Sequence, residues 1–311
     1  MRKVTSELKL SELLALHIIN LCGHVTRPIS HRGFYNLTRQ VGHRLNPARS
    51  VQVRLNDDTL YEFLLADPYW NRLIHEEFRY EPELFHFLDL VREIDFAFFD
   101  GGANWGYWSA IASSRAYGAV ETVAYEPMPQ AFDRLTKNAS INGDRFKAIQ
   151  LALAKDEMSG ISMAASPSAE LSAVGASLQK TPVQGDNATL VDATTLDAAL
   201  ENLTSDAPVV VKLDLEGVEC EVIAASKWID QNDCVLAFED HGNDKECKVV
   251  ATVLQRGWPV YFFHDNGRLV RISSVGQAAE LKVKSSRGYN FFGAHPEGIF
   301  EQLLTSQLTQ S

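Results

Sequence analysis

From Asp95 onward, short apolar runs alternate with helix-like segments, and few folds accept that rhythm. The runs fall at 96–99, 122–125, 146–153, 209–215, 235–238, 260–263 and 289–292. Each is too short for a buried helix and reads as a strand. Helical segments at 105–116, 129–141, 195–203, 218–225 and 245–256 separate them, with a last helix after Pro296. Strands spaced by helices imply βαβ units on a largely parallel, doubly wound sheet, so the fold class is α/β. Residues 155–190, rich in Ser, Ala and Gly, are expected to form short strands and loops.

The first 94 residues have a different texture and read as an N-terminal α+β extension. A helix is expected over 4–22 and a second, short one before Arg49. Two β-rich runs at 51–55 and 59–65 flank Asn56-Asp57-Asp58 and form a hairpin. Asp67-Pro68 opens a helix covering Trp70–Phe78, and Glu81-Pro82 opens another that ends near Arg92. The division is therefore 1–94 as a cap that helps choose an acceptor and 95–311 as the main domain.

Charge narrows the partners. Residues 1–50 hold eight Lys/Arg against Glu7 and Glu12, a net +6, and the whole chain carries −11, which leaves −17 for the rest. So acidic a body repels a phosphate backbone, and nucleic acid is excluded as a substrate for its cleft. The basic front suits peripheral contact with an anionic membrane or an acidic partner; a plain solvated face is the alternative. The run Leu13–Cys22 is about half the ~20 residues of a membrane span. Cys22, Cys220, Cys234 and Cys247 have neither disulfide-framework nor zinc spacing, as in a reduced cytoplasmic protein.

The first chemical signal is Phe98-Phe99-Asp100-Gly101-Gly102-Ala103-Asn104-Trp105-Gly106. An apolar strand ends in an acid, and a glycine turn then leads into a helix. Glycine lets the backbone take positive φ or approach a ligand closely, and the helix start attracts an anionic group such as a carboxylate. Asp100 can accept from an ammonium. The second signal is Tyr125-Glu126-Pro127: an acid ending the next strand is placed to bind both hydroxyls of a ribose. Together they indicate an adenosine-type ligand.

These segments, with the run 191–200 and Val211-Lys212-Leu213-Asp214-Leu215-Glu216-Gly217-Val218-Glu219, resemble the FkbM family of S-adenosylmethionine-dependent methyltransferases, within the class I methyltransferase superfamily. The resemblance covers about 50–296. It implies a Rossmann-like, seven-stranded mixed sheet with helices on both faces. It also implies that Asp100, Gly101, Gly102, Asn104 and Gly106 hold the methionine part of the cofactor, Glu126 its ribose, and the backbone around Leu153 its adenine. Gly101 stands where the family usually has a hydrophobic residue. The substrate class implied is a sugar, glycan or glycosylated metabolite.

The run 209–217 has its own physics. A period of two puts Lys212, Asp214 and Glu216 on one side of a strand that should be apolar on both. A Lys212–Asp214 ion pair is one explanation; a site role for Asp214 at the strand's carboxyl end is the other. The next strand ends in Phe238-Glu239-Asp240-His241 on the same rim. Methyl transfer to a hydroxyl needs a base. His241, with an ordinary pKa of about 6.5, is the candidate, oriented by Glu239 or Asp214. Alternatively Asp214, Glu239 and Asp240 hold Mg²⁺ against two sugar hydroxyls.

Two look-alikes are set aside. Asp67-Pro68-Tyr69-Trp70 lacks the second proline of amino-methylating DNA enzymes and sits at a helix start, while His264-Asp265-Asn266-Gly267 reads as a type I′ hairpin turn. Two other functions compete: a nicotinamide dehydrogenase, which needs a regular GxGxxG that is missing, and a non-catalytic glycan-assembly module.

Overall fold

The structure is a computed structural model, and it describes residues 1–29, 31–164, 177–178, 188–284 and 287–308. Fourteen strands lie within them. They are β1 (Ser50–Arg54), β2 (Leu60–Leu64), β3 (Ala97–Gly101), β4 (Thr122–Tyr125), β5 (Lys147–Ile149), β6 (Ala152–Leu153) and β7 (Met158–Ala164). Then follow β8 (Ser177–Leu178), β9 (Ala188–Thr194), β10 (Val209–Leu213), β11 (Cys234–His241), β12 (Val260–Phe263), β13 (Leu269–Ile272) and β14 (Gly288–Ala294). The α-helices are α1 (Leu10–Thr26), α2 (Phe34–Gly42), α3 (Pro82–Val91), α4 (Tyr107–Ala112), α5 (Pro129–Ile141), α6 (Leu196–Leu200), α7 (Glu219–Ala225), α8 (Lys248–Gln255), α9 (Val275–Leu281) and α10 (Ile299–Leu308).

The central sheet runs β13-β12-β14-β11-β10-β3-β4-β5. All seven expected strands are in it, and β13 extends one edge to make eight. β5, β4, β3, β10 and β11 pair in parallel, whereas β14 is antiparallel to both β11 and β12. The chain order reverses between β3 and β10, which opens a crevice beyond their carboxyl ends. None of the described helices is long and apolar enough to cross a membrane.

Side chains alternate across this sheet as the period of two requires. Ala97, Phe99, Val209, Val211, Leu236 and Phe238 enter one core layer. Phe98, Val210, Val235 and Ala237 enter the other, which also receives Leu16, Ile19, Phe34, Tyr61 and Trp70 from the first 94 residues. The extension therefore shares a core with the sheet. Asparagines fasten it: Asn142 Nδ2 donates to Leu60 O while Leu60 N donates to Asn142 Oδ1, and Asn138 does the same with Glu62. Side chains of α5 thus complete the outer edge of β2, which would otherwise leave backbone groups unpaired.

Several boundaries differ from expectation. The run 146–153 is two pieces, because Ala152–Leu153 leave the central ladder and pair with β9 in a second sheet, β6-β9-β7-β8. Most of 165–187 lies outside the described residues. The segment after Asp67-Pro68 is only a 3₁₀ turn at Asn71–Ile74, although Asp67 Oδ1 accepts from Tyr69 N as a cap should. A repeat of three suits that turn, since Trp70 and Leu73, and Asn71 and Ile74, are buried together. The β12–β13 turn has positive φ at Gly267 but not at Asn266, so it is not type I′.

Candidate active site

After β3 the backbone turns through Gly102 at φ +73°, where a Cβ would lie 1.9 Å from Asp214 O. No side chain fits there, which is why this position is glycine. Gly102 N and Ala103 N donate to Tyr125 O at 3.0 and 2.9 Å, tying the turn to the end of β4. Asn104, also left-handed at φ +51°, donates its N–H to Glu126 Oε2 at 2.9 Å. Glu126 Oε1 accepts from Met128 N at 2.8 Å. Burial pushes the Glu126 carboxyl up to about 7, against the pull of those two amides.

A narrow cleft, with a cavity volume of about 80 Å³, adjoins this turn. Gly102, Asn104 and Glu126 line it, together with Met128, Met163, Asp214 and Glu216. An aromatic wall of Tyr69, Trp70, Tyr80, Tyr107 and Trp108 faces them. The remaining expected cofactor residues are placed behind this lining. Asp100 is buried, its Oδ2 accepting from Ser109 Oγ at 2.6 Å and its Oδ1 lying 3.1 Å from Lys212 Nζ. Gly101 ends β3 with the Leu153 side chain against it, so Leu153 packs under the strand. Gly106 caps α4 at φ +78°, where Leu135 leaves no room for a Cβ.

Across the crevice, Asp214 lies just past β10, and its N–H donates to Gly101 O at 3.0 Å. Lys212 Nζ is 3.1 Å from Asp100 but 4.0 Å from Asp214, so the ion pair considered for Lys212 is made chiefly with Asp100. Burial pulls the Lys212 ammonium down, but Asp100, Asp214 and Glu81 outweigh it and hold the amine charged. Glu219 accepts from Leu215 N and Gly217 N at 2.7 and 3.0 Å, which fixes the loop carrying Glu216.

On β11 the consecutive acids separate. Glu239 faces the crevice and accepts from His241 Nδ1 at 3.1 Å. Asp240 points to the opposite face, pairs with buried Lys282 and accepts from Val250 N at 3.1 Å. It therefore cannot join Asp214 and Glu239 around an ion. Glu81 takes its place: one carboxylate oxygen each from Glu81, Asp214 and Glu239 lies within 4.8 Å of the others, a spacing that could hold a divalent cation. Burial and Asp214 push the Glu81 carboxyl up to about 7 despite Lys212, and Trp108 Nε1 donates to it at 2.6 Å. Burial and then Asp214 raise Glu239 as well. The hydrogen bond to Glu239 raises His241 to about 9. At neutral pH that imidazole already holds its proton.

Glu81 is the site residue that sequence reasoning missed. Its signal was there: glutamate is an unusual residue before an N1 proline, where Ser, Thr, Asp or Asn would cap; the structure holds it at φ +48°.

The cleft suits a cationic nucleoside. Asp100, Asp214 and Glu81 surround the charge of Lys212, Glu126 lines the same cleft, and Asn104 Oδ1 and Asp214 Oδ1 are buried with no hydrogen-bond partner among the described residues.

A family profile described as the methyltransferase FkbM domain matches residues 100–266. Among solved structures, methyltransferase FkbM from Methylobacillus flagellatus shares 12% identity over 91% of this chain and 59% of that one, with a TM-score of 0.42. Precorrin-6y C5,15-methyltransferase from Geobacter metallireducens shares 14% over 67% of this chain and 85% of that one, at 0.37. The N-terminal domain of human METTL16 in complex with SAH shares 12% over 68% of each, at 0.34. No curated protein matches the chain.

Proposed function

The chain belongs to the FkbM methyltransferase family, and on that premise we propose that it methylates a hydroxyl of a sugar or glycan precursor from S-adenosylmethionine. One observation carries the reading. The glycine turn, Glu126 and Asp214 line a single cleft walled by aromatic rings, and a carboxylate oxygen of Asp214 lies within 4.8 Å of one each from Glu81 and Glu239.

The cofactor supplies an electrophilic methyl group when bound. Glu126 would hold its ribose, since a carboxylate offers about four lone-pair sites and the two amides take only two. Asn104 and Asp214 would receive its ammonium on their unpartnered oxygens. The net negative rim favours a sulfonium over its neutral product.

On the acceptor side, half-buried Tyr69 offers ring surface to the apolar face of a sugar. Glu81, poised near neutrality, is the base that takes the hydroxyl proton. Three close acids cannot all ionise, so one holds a proton and another is free to accept it. His241, charged and bonded to Glu239, offsets part of that repulsion. A second reading follows from the spacing of the same three acids, with Mg²⁺ binding the acceptor hydroxyls. The setting is the cytoplasm, consistent with four free cysteines.

The test is transfer of labelled methyl to a panel of sugars, nucleotide sugars and lipid-linked glycans, with and without EDTA. Label on a hydroxyl of one class is expected. Label on nitrogen or carbon, or on none of the panel by protein that binds the cofactor, would overturn the acceptor assignment. Loss of turnover in EDTA and its return with Mg²⁺ would favour the second reading, in which Mg²⁺ acidifies the acceptor hydroxyl and its proton leaves to water.

A further inference from the structure

Helix α1 is apolar on two sides. Ala15, Leu16, Ile19 and Gly23 are buried on the inner side, beside the turn at 71–74. On the outer side Leu10, Leu14, Leu21 and Val25 are 84%, 62%, 61% and 66% exposed. Ile29 continues the stripe beyond the helix end. A helix apolar all round is normally covered all round, and a contiguous exposed apolar surface marks an interaction site.

The charges say what covers it. Leu10–Thr26 contains no Lys or Arg. Exposed Lys3 and Lys9 precede the stripe, and exposed Arg32, Arg39 and Arg44 follow it, with Arg27 beside them in an ion pair with Glu77. We propose that this face docks onto a membrane surface rich in anionic lipid, with α1 lying in the headgroup plane.

From Leu10 to Val25 the stripe is about 22 Å long, short of the ~30 Å hydrocarbon core, so it lies on the bilayer instead of crossing it. Anionic lipid attracts the front at +6 and repels the body at −17, which orients the molecule on the surface. A second copy is disfavoured by the same arithmetic, because pairing through α1 would bring two basic fronts together. Interfacial helices of this kind combine an apolar face with cations at its margins.

The experiment is flotation of the full chain with phosphatidylcholine vesicles containing about 30% phosphatidylserine, beside pure phosphatidylcholine vesicles. The protein is expected to float with the first and stay behind with the second, and to be released at about 0.5 M salt. Leu14→Glu with Leu21→Glu, both outward-facing, should lower the bound fraction about tenfold with thermal unfolding unchanged. Lys9→Glu with Arg32→Glu should lower it on anionic vesicles while leaving the stripe intact. No flotation at low salt, or a double leucine variant that floats like the parent, would overturn the proposal. So would a dimer in light scattering that the leucine variant splits while vesicles bind nothing, which would assign the face to a second copy.

Discussion

Lys212 and Asp100 are register partners on adjacent parallel strands, with Nζ 3.1 Å from Oδ1 and both side chains buried. The pair lies directly beneath the glycine turn. Lys212 lines the floor of the cleft with Asp100 behind it, which explains a lysine in a strand whose other positions are valine and leucine. Asp214, two residues on, rises from that floor to the rim.

Removing the cation should therefore damage the fold before it damages chemistry. Lys212→Met leaves Asp100 buried with only Ser109 as a partner, and loss of one member of such a pair costs about 3–5 kcal/mol. Denaturant unfolding should show that loss, and Lys212→Met with Asp100→Asn should recover part of it. A single variant as stable as the parent would mean that water reaches the pair.

The raised Glu126 carboxyl gives a pH dependence of defined sign. Its folded pKa of about 7 exceeds its ordinary 4.5, so the stability that Glu126 itself contributes to the ligand-free protein is lost as pH rises from about 4.5 through 7. A sulfonium ligand should reverse the trend, because it prefers the ionised acid. Calorimetry should find tighter cofactor binding at about pH 8 than at about pH 5.5. Glu126→Gln should weaken binding and make both pH trends shallower, leaving what Glu81, Glu239 and His75 contribute.

Roles within the acid cluster separate by substitution. Glu81→Gln should lower kcat about 10²-fold or more with cofactor affinity nearly unchanged, as expected for a lost base. His241→Gln should cost less than about tenfold, because the imidazole is protonated up to about 9. Single-turnover rates of the two variants decide the matter, and a larger loss in His241→Gln would restore the histidine as base. Glu239→Gln should bring the histidine titration, followed by NMR, back toward about 6.5.

How much of this was legible in sequence depends on range. The seven strands followed from local periodicity, which the pleat enforces residue by residue, whereas the sheet's topology came from the family resemblance. Glu126 and Asn104 were legible because strand ends and glycine turns mark the crevice. Glu239 and Asp240 were grouped although consecutive strand residues must face opposite ways, and the rule already applied to Lys212 and Asp214 would have parted them. Glu81 was not legible as a partner of Asp214, since nothing local links a helix start in the extension to a strand end 133 positions later. Only the shared core brings them together.

The same extension should set the acid limit of the protein. His75 is fully buried between His24 and His31, with ring centroids at 4.7 and 5.4 Å, and its Nδ1 lies 3.2 Å from Asn20 Oδ1. Burial, then the two neighbouring histidines, lower its pKa from 6.5 to about 4. The unfolded chain therefore binds a proton that the folded chain refuses between those values, and the contribution of His75 to stability should fall as pH drops from 6.5 through 4. His75→Gln keeps a polar group toward Asn20 without a titrating ring, so its unfolding midpoint should fall less steeply over that window than the parent's. Parallel curves for the two proteins would show that the imidazole is not the group that senses acid.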